Sequence, residues 1–214
     1  MQPEVSVPTI QLTLTGVGKR FGRNWILQDL NEQFSGGERI GIKGRNGSGK
    51  STLLRIICGQ LTPSRGAVAL KINEEEVSVN DLYRYVSWTA PYLEIVEELT
   101  ITEFLAFHFG LKPLLPGLSL TDLPSLLELN DVRKRKLSAC SSGMRQRVLL
   151  GSALYANTPL LLLDEPTVTL DEDAIDWFHQ QLADYCGARL TLIASNEASD
   201  LQDCQRVLTL NSAI

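Results

Sequence analysis

The stretch Gly44-Arg45-Asn46-Gly47-Ser48-Gly49-Lys50-Ser51-Thr52 matches the pattern G-x-x-x-x-G-K-[ST] at every fixed position. The residues before it, Glu38 to Lys43, have the pattern of a strand, and those after it, Ser51 to Ile57, have that of a helix. A strand, a glycine-rich turn and a helix start are the context that a phosphate-binding loop requires. The sequence therefore predicts an α/β fold that binds a nucleoside triphosphate, with a glycine-rich turn that holds no ligand as the weaker alternative.

The chemistry of this loop assigns roles to two of its side chains. Glycines allow successive backbone N–H groups to point at the phosphates, and the N-terminus of the following helix adds partial positive charge. Lys50 is predicted to reach the β- and γ-phosphates, which places it among the catalytic residues. The hydroxyl of Ser51 is predicted to be a ligand of Mg²⁺, a hard cation that prefers oxygen.

Composition fits one domain that is neither a nucleic-acid binder nor a membrane-spanning chain. The 214 residues carry 20 basic and 25 acidic side chains, a net charge of −5, so no overall field attracts nucleic acid or an anionic membrane. The basic run Arg133 to Lys136 has no interleaved aromatic residues and favours a solvated face. No signal segment opens the chain, and no apolar run approaches the ~18 residues of a membrane span. Four cysteines without a C-x-x-C pair favour a cytoplasmic protein.

A second motif supplies carboxylates. The apolar run Leu160 to Leu163 ends in Asp164 and Glu165, as expected for a strand that is buried on both faces and ends at a ligand-binding crevice. Asp164 is predicted to hold Mg²⁺ or its waters, while Glu165 is predicted to orient or deprotonate the water that attacks the γ-phosphate. Solvated acids at a strand end are the weaker alternative, because a phosphate loop lies upstream.

The first part of the chain predicts strands around the loop. Met1 to Pro8 carries two prolines and no periodicity and is expected to be a lead-in. Ile10 to Thr15 alternates apolar and polar residues, which predicts a strand with one solvated face. Phe21 is predicted to stack on the nucleotide base. Packing in a turn or in the core is an equally good explanation of this aromatic residue.

The middle of the chain predicts further small strands and then a helical insertion. Ala67 to Ile72 and Leu82 to Ser87 have strand patterns. Thr102 is predicted to cap a helix. The expected fold is a P-loop core whose mainly parallel sheet is flanked by helices, with a small antiparallel β-subdomain. Residues 91–154 are expected to form an inserted α-helical subdomain, and the whole domain to cover 10–214.

The stretch Cys140-Ser141-Ser142-Gly143-Met144, followed by Arg145-Gln146-Arg147-Val148, is similar to the signature LSGGQ of ABC transporters and its following helix start. With this motif the chain resembles the ATP-binding subunits of ABC transporters over nearly its whole length. Cys140, Ser142 and Met144 depart from the signature. The compact single cassette is similar to bacterial subunits, including those of haem exporters.

The resemblance implies how such a chain works. Ser141, Ser142 and Gly143 would cap the γ-phosphate held by a second cassette, so that two ATP molecules lie between two head-to-tail cassettes. Leu170-Asp171 looks like the D-loop of the family, which places Asp171 at the same nucleotide. A separate transmembrane subunit would be the partner, and Pro91 to Ile95 is the expected docking surface, although these apolar residues could equally belong to the core.

Two family positions differ here. The family has a glutamine between the α/β core and the helical subdomain, which touches Mg²⁺ and transmits the ATP state, and the matching position is Trp88. The family also has a histidine that contacts the γ-phosphate, and that place is held by Asn196. An asparagine donates a neutral hydrogen bond but cannot carry the charge that stabilises a developing phosphoryl anion.

The sequence therefore predicts an Mg²⁺-dependent ATPase that supplies energy to a membrane transporter, works as a cassette dimer and lies at the cytoplasmic face of the membrane. The alternative is an ATP-gated dimerisation or regulatory module that hydrolyses slowly or not at all. The presence of Glu165, the predicted catalytic carboxylate, argues against an inactive enzyme. A chromosome-maintenance or repair ATPase would need a long heptad insertion, which the sequence lacks, and a translation-associated member would usually have two cassettes.

Overall fold

The structure is a computed structural model, and it describes residues 9–211. The predicted lead-in, Met1 to Pro8, lies outside the described residues. The strands of the described part are, in chain order, β1 (Ile10–Phe21), β2 (Asn24–Ser35), β3 (Arg39–Lys43), β4 (Arg65–Ile72), β5 (Glu75–Glu76), β6 (Val86–Thr89), β7 (Leu160–Asp164), β8 (Leu190–Ala194) and β9 (Arg206–Thr209).

The helices alternate with the later strands. They are α1 (Lys50–Ile57), α2 (Leu82–Tyr85), α3 (Ile101–Leu111), α4 (Leu123–Leu126), α5 (Ser142–Leu154), α6 (Glu172–Tyr185) and α7 (Ala198–Leu201), with 3-10 turns at Val79–Asp81, Asn130–Val132 and Leu137–Ala139. Helices α3 to α5 lie between β6 and β7 in the chain, where the insertion was predicted. The bounds 91–154 and 10–214 stay a prediction.

A small antiparallel sheet has the strand order β2-β1-β4-β5. The predicted alternation in β1 is confirmed, because Ile10, Leu12 and Leu14 are buried while the residues between them are half-buried. The turn between β4 and β5 has left-handed backbone at Asn73 and Glu74, with φ of 51° and 67°. This sheet therefore turns one face toward the core, as expected for a strand pattern of period two.

The larger sheet is parallel and has the order β6-β7-β8-β3-β9. Every residue of β7 is buried, which confirms the prediction of a strand covered on both faces. Leu160 and Leu162 pack into a core shared with the antiparallel sheet and α1, whereas Leu161 and Leu163 pack against α3, α5 and α6. Because all five strands are parallel, their carboxyl ends lie at one edge of the sheet. The predicted α/β fold class is confirmed.

The predicted strand Leu82 to Ser87 is wrong in its first four residues, because Leu82–Tyr85 is helix α2 and the strand begins at Val86. Leu82 is buried while Tyr83 and Arg84 are both exposed. Two adjacent exposed residues do not fit the alternation of a strand.

The predicted cap of α3 is also wrong, because Thr100 rather than Thr102 occupies the N-cap position. Thr100 Oγ1 accepts a hydrogen bond from Glu103 N at 3.3 Å, and Glu103 Oε2 accepts one from Thr100 N at 2.8 Å. This reciprocal capping box requires a glutamate three residues after the cap. The hydroxyl of Thr102 instead donates to the carbonyl oxygen of Arg133 at 3.2 Å.

Candidate nucleotide-binding site

The predicted phosphate loop connects the end of β3 to the start of α1 at the carboxyl edge of the parallel sheet. Gly49 has a φ of 99°, and a Cβ there would lie 2.7 Å from the side chain of Leu27. At Gly44 a Cβ would lie 2.6 Å from the carbonyl oxygen of Leu210. Both positions therefore require glycine, and the backbone of the loop stays open for close approach of a phosphate.

The loop lines a cavity of about 430 Å³ together with segments that are distant in the sequence. The lining residues are Phe21, Ile26, Arg45, Asn46, Gly47, Gly49, Lys50, Ser51, Thr52, Pro91, Tyr92, Asp164 and Glu165. Phe21 is 53% exposed, and the ammonium group of Lys19 lies 5.3 Å from its ring centroid. The structure thus brings Phe21 to the phosphate loop, and stacking on a base stays a prediction.

Lys50 is buried at the floor of this cavity. Its ammonium group lies 3.1 Å from Glu165 Oε1 and donates to the carbonyl oxygen of Gly44 at 2.8 Å. Glu165 itself has a positive φ of 44°, which is uncommon for a residue with a side chain. The cation of the first motif and the second carboxylate of the other motif therefore meet, although 115 residues separate them in the chain.

Asp164 is fully buried, and Tyr92 donates a hydrogen bond to its Oδ2 at 2.7 Å. Its other oxygen, Oδ1, is buried and has no hydrogen-bond partner within residues 9–211. Burial raises the pKa of Asp164, and the hydroxyls of Ser51 and Tyr92 that face it act in the opposite direction. A buried, unsatisfied carboxylate oxygen beside a serine hydroxyl fits Mg²⁺, because such a cation takes oxygen ligands.

Tyr92 is a site residue that the sequence analysis missed. Burial and the contact with Asp164 raise the pKa of Tyr92 to about 12, so the phenol stays protonated and donates. Trp88, the predicted counterpart of the family glutamine, instead lies in β6 opposite Leu162 and packs against the core. The structure therefore places Tyr92, and not Trp88, beside the carboxylate. The signal in the sequence that could have identified Tyr92 was a hydrogen-bonding side chain shortly after a predicted strand.

A buried polar network contacts Glu165 through its Oε2 atom. Ser195 Oγ lies 3.2 Å from Glu165 Oε2 and donates to Asp200 Oδ2 at 2.5 Å. The hydroxyl of Thr167 donates to the other oxygen of Asp200 at 2.8 Å. Burial raises the pKa of Asp200, while these two hydroxyls lower it. The network connects the residues after β7 with those after β8, and the sequence analysis did not identify it.

Asn196 follows β8 and reaches the phosphate loop. Its amide nitrogen donates to Asn46 Oδ1 at 2.7 Å, and both side chains are exposed. The contact brings Asn196 to the phosphate loop. A role in catalysis stays a prediction.

The predicted signature lies away from this cavity. Ser141 caps α5, because its hydroxyl accepts a hydrogen bond from Met144 N at 3.2 Å, and Ser141 and Ser142 are exposed. Buried Gln146 donates to the carbonyl oxygen of Pro166 at 2.8 Å, which joins α5 to the segment after β7. Within one chain the structure therefore does not bring the signature to the phosphate loop.

Asp171 also caps a helix. Its Oδ1 accepts a hydrogen bond from Ala174 N at 3.0 Å at the start of α6. Asp171 does not line the phosphate cavity, and its predicted place at a nucleotide stays a prediction.

A sequence model of the family described as ABC transporter matches residues 27–168. The chain belongs to the ABC transporter family. The ATP-binding cassette predicted from the sequence is thereby confirmed, and with it ATP as the nucleotide. Among residues 9–211, no helix has both the length and the apolar character that crossing a membrane requires.

Individual relatives of the cassette differ in size. The chain is 28% identical to the Nod factor export ATP-binding protein I of Rhizobium leguminosarum bv. viciae, over 98% of the chain and 69% of that protein. It is 28% identical to the cytochrome c biogenesis ATP-binding export protein CcmA of Agrobacterium fabrum, over 92% of the chain and 94% of that protein. It is 29% identical to the tylosin resistance ATP-binding protein TlrC of Streptomyces fradiae, covering 86% of the chain but spanning 40% of the relative.

Solved structures share the fold. An ATP-binding cassette in a dimeric post-hydrolysis state, bound to ADP and Pi, superposes with a TM-score of 0.79 at 23% identity over 94% of each chain. A putative ABC transporter ATP-binding protein from Pyrococcus furiosus superposes with a TM-score of 0.78, also at 23% identity, over 94% of this chain and 97% of the other. The predicted P-loop cassette fold is therefore confirmed.

Proposed function

We propose that this cassette hydrolyses ATP in the presence of Mg²⁺ and supplies energy to a membrane transporter. The observation that carries the proposal is the meeting of Lys50, Asp164 and Glu165 at the cavity of the phosphate loop. One cation for the phosphates, one buried carboxylate for a metal and one carboxylate for water are the parts that phosphoryl transfer to water requires.

The residues have separate tasks in this mechanism. Lys50 and the backbone of the loop hold the β- and γ-phosphates, and Phe21 stacks on the base. Ser51 and Asp164 would hold Mg²⁺, which when bound neutralises charge on the phosphate oxygens. Glu165, oriented by Ser195, aligns the attacking water and accepts its proton.

The signature lies away from the phosphate cavity of its own chain, and pairing with a second cassette would give it a nucleotide to contact. Exposed Ser141 and Ser142 stand at the N-terminus of α5, where helix N–H groups and the helix dipole favour a phosphate. We infer that this helix end caps the ATP of a second cassette. A solved cassette of the same fold is dimeric, which supports the pairing of two cassettes.

The membrane partner is proposed to dock in a groove between Pro91–Ile95 and the start of α5. Besides that segment, the groove is lined by Glu97, Ser142, Arg145, Gln146, Leu149 and Thr169. The segment thus has one side toward the phosphate cavity and another toward the groove, since Pro91 and Tyr92 line both. The cassette would therefore lie at the cytoplasmic face of the membrane, bound through its partner.

A slow or regulatory ATP switch is the second candidate, and the contact between Asn196 and Asn46 favours it. Asn196 would offer a neutral amide at the position where the family resemblance implies a charge-stabilising histidine. In that case ATP would close the dimer without rapid turnover.

ATP turnover by the purified chain, alone and with its membrane partner, tests both candidates. Turnover above a Glu165→Gln baseline supports the energy-supplying subunit, and turnover at the baseline under both conditions supports the switch. The docking groove is tested separately with Leu93→Asp, which should abolish stimulation by the partner and leave ATP binding intact. Val96→Asp, at an exposed valine outside the groove lining, is the matched control.

A further inference from the structure

Tyr92 makes a contact that neither the predicted roles nor the sequence pattern assigned. Its hydroxyl donates to Asp164 Oδ2 at 2.7 Å, although the two residues lie 72 positions apart. Its ring lies 4.9 Å from the guanidinium of Arg55, measured to the ring centroid, and meets the ring of Trp88 edge-on with centroids 6.2 Å apart. The ring of Tyr92 is thus contacted by both Arg55 and Trp88, and these contacts orient its hydroxyl toward Asp164.

This hydrogen bond divides the two oxygens of Asp164 between two tasks. Oδ2 is occupied by Tyr92, and Oδ1 is buried and has no partner among the described residues. A carboxylate that is anchored through one oxygen cannot rotate freely, so its second oxygen keeps one direction. Partners that anchor a metal ligand in this way usually affect metal affinity by ~10–100-fold.

We propose that Tyr92 is a positioning residue that orients Asp164 for the Mg²⁺ of the bound nucleotide. The inference rests on the proposed function, because it takes Asp164 as the metal-binding carboxylate. Tyr92 acts through Asp164 and needs no contact with the metal or the phosphates. The connection after β6 therefore supplies a hydroxyl to the site, although the chain has no glutamine there.

The geometry assigns different effects to the hydroxyl and to the ring. Tyr92→Phe removes the hydrogen bond and keeps the ring that packs beside Arg55 and Trp88. Tyr83→Phe is the matched control, since Tyr83 is 62% exposed on α2 and does not line the phosphate cavity. Asp164→Asn tests the proposed metal ligand itself.

The test measures the affinity of the purified chain for a fluorescent ATP analogue, first in EDTA and then across a titration of Mg²⁺. In EDTA, Tyr83→Phe should bind the analogue as the unsubstituted chain does, and the affinity of each variant in EDTA is the reference for its own Mg²⁺ titration. In the titration, Tyr92→Phe should raise the half-saturating Mg²⁺ concentration ~10–100-fold, whereas Tyr83→Phe should leave it unchanged.

The outcomes separate the two proposals. If Asp164→Asn leaves the response to Mg²⁺ unchanged, the proposed metal site fails and the role of Tyr92 fails with it. If Asp164→Asn abolishes the response and Tyr92→Phe leaves it unchanged, the inference on Tyr92 alone is overturned. A lower half-saturating Mg²⁺ concentration in Tyr92→Phe would also overturn it, because Tyr92 would then compete with the metal for Asp164.

Discussion

Lys50 Nζ lies 3.1 Å from Glu165 Oε1, so the lysine of the phosphate loop and the carboxylate assigned to water activation form an ion pair. Lys50 is buried, whereas the side chain of Glu165 is 24% exposed to solvent. A γ-phosphate bound at this loop would compete with Glu165 for the ammonium group, because both are anions. Phosphate binding and the freedom of Glu165 are therefore coupled through one side chain.

Replacing Lys50 should weaken ATP binding without unfolding the chain. A hydrogen bond to a charged group contributes about 1.5–3 kcal/mol, so Lys50→Ala should reduce ATP affinity by ~10–100-fold. Isothermal titration calorimetry measures the affinity, and circular dichroism checks the fold. Lys43→Ala, which removes an exposed lysine just before the loop, is the control. Unchanged affinity in a folded Lys50→Ala protein would refute the site.

Replacing Glu165 should trap a dimer. Glu165→Gln keeps the shape of the side chain but cannot accept the proton of the attacking water, so ATP should persist and hold two cassettes together. Light scattering with saturating ATP should then show a dimer, and adding Ser141→Arg should return it to monomer.

The control for that experiment is Ser125→Arg, which adds the same side chain at an exposed serine of α4. Monomer in Glu165→Gln at saturating ATP would contradict a homodimeric sandwich. A dimer that survives Ser141→Arg would contradict the role of the signature.

Introducing a histidine at position 196 should raise ATP turnover. Losing one well-placed electrostatic donor can lower turnover ~10²–10³-fold, so basal hydrolysis should be low and Asn196→His should increase kcat several-fold at matched ATP saturation. Asn46→Ala is the control, because it removes the Asn196 hydrogen bond without adding a histidine. No change or a fall in kcat, with ATP affinity intact, would favour a site adapted to asparagine.

A half-buried lysine outside the lining of the phosphate cavity should make stability depend on pH. Burial, with a smaller contribution from nearby Arg189, lowers the pKa of Lys112 to about 8. Between pH 8 and the ordinary pKa of 10.5, the unfolded chain therefore binds more protons than the folded chain, and stability rises with pH. Neighbouring His108 has its own pKa lowered from 6.5 and so titrates below this range.

Chemical denaturation at several pH values measures this effect. The free energy of unfolding of the unsubstituted chain, minus that of Lys112→Met, should increase from pH 8 to pH 10. Lys134→Met, which removes an exposed lysine, is the control for the loss of a lysine side chain as such. A flat difference for Lys112→Met would show that this lysine titrates alike in both states.

The sequence by itself determined the parts of the site that lie within one continuous segment. The loop from Gly44 to Thr52 and the strand that ends in Asp164 are readable because their chemistry fixes residue types at short spacing. Burial of both faces of β7 follows from its unbroken apolar run. The family signature at Cys140 to Met144 is equally local. Each of these predictions needed no knowledge of distant neighbours.

The tertiary structure decided which distant residues meet. Tyr92 reaches Asp164, and Asn196 reaches Asn46, because the strand order β6-β7-β8-β3 brings four carboxyl ends to one edge. Hydrophobic periodicity reports which face of an element is buried, but it carries no information about which strands become neighbours. That order is set by the packing of the whole sheet, so the partner of Asp164 could be identified only in the folded chain.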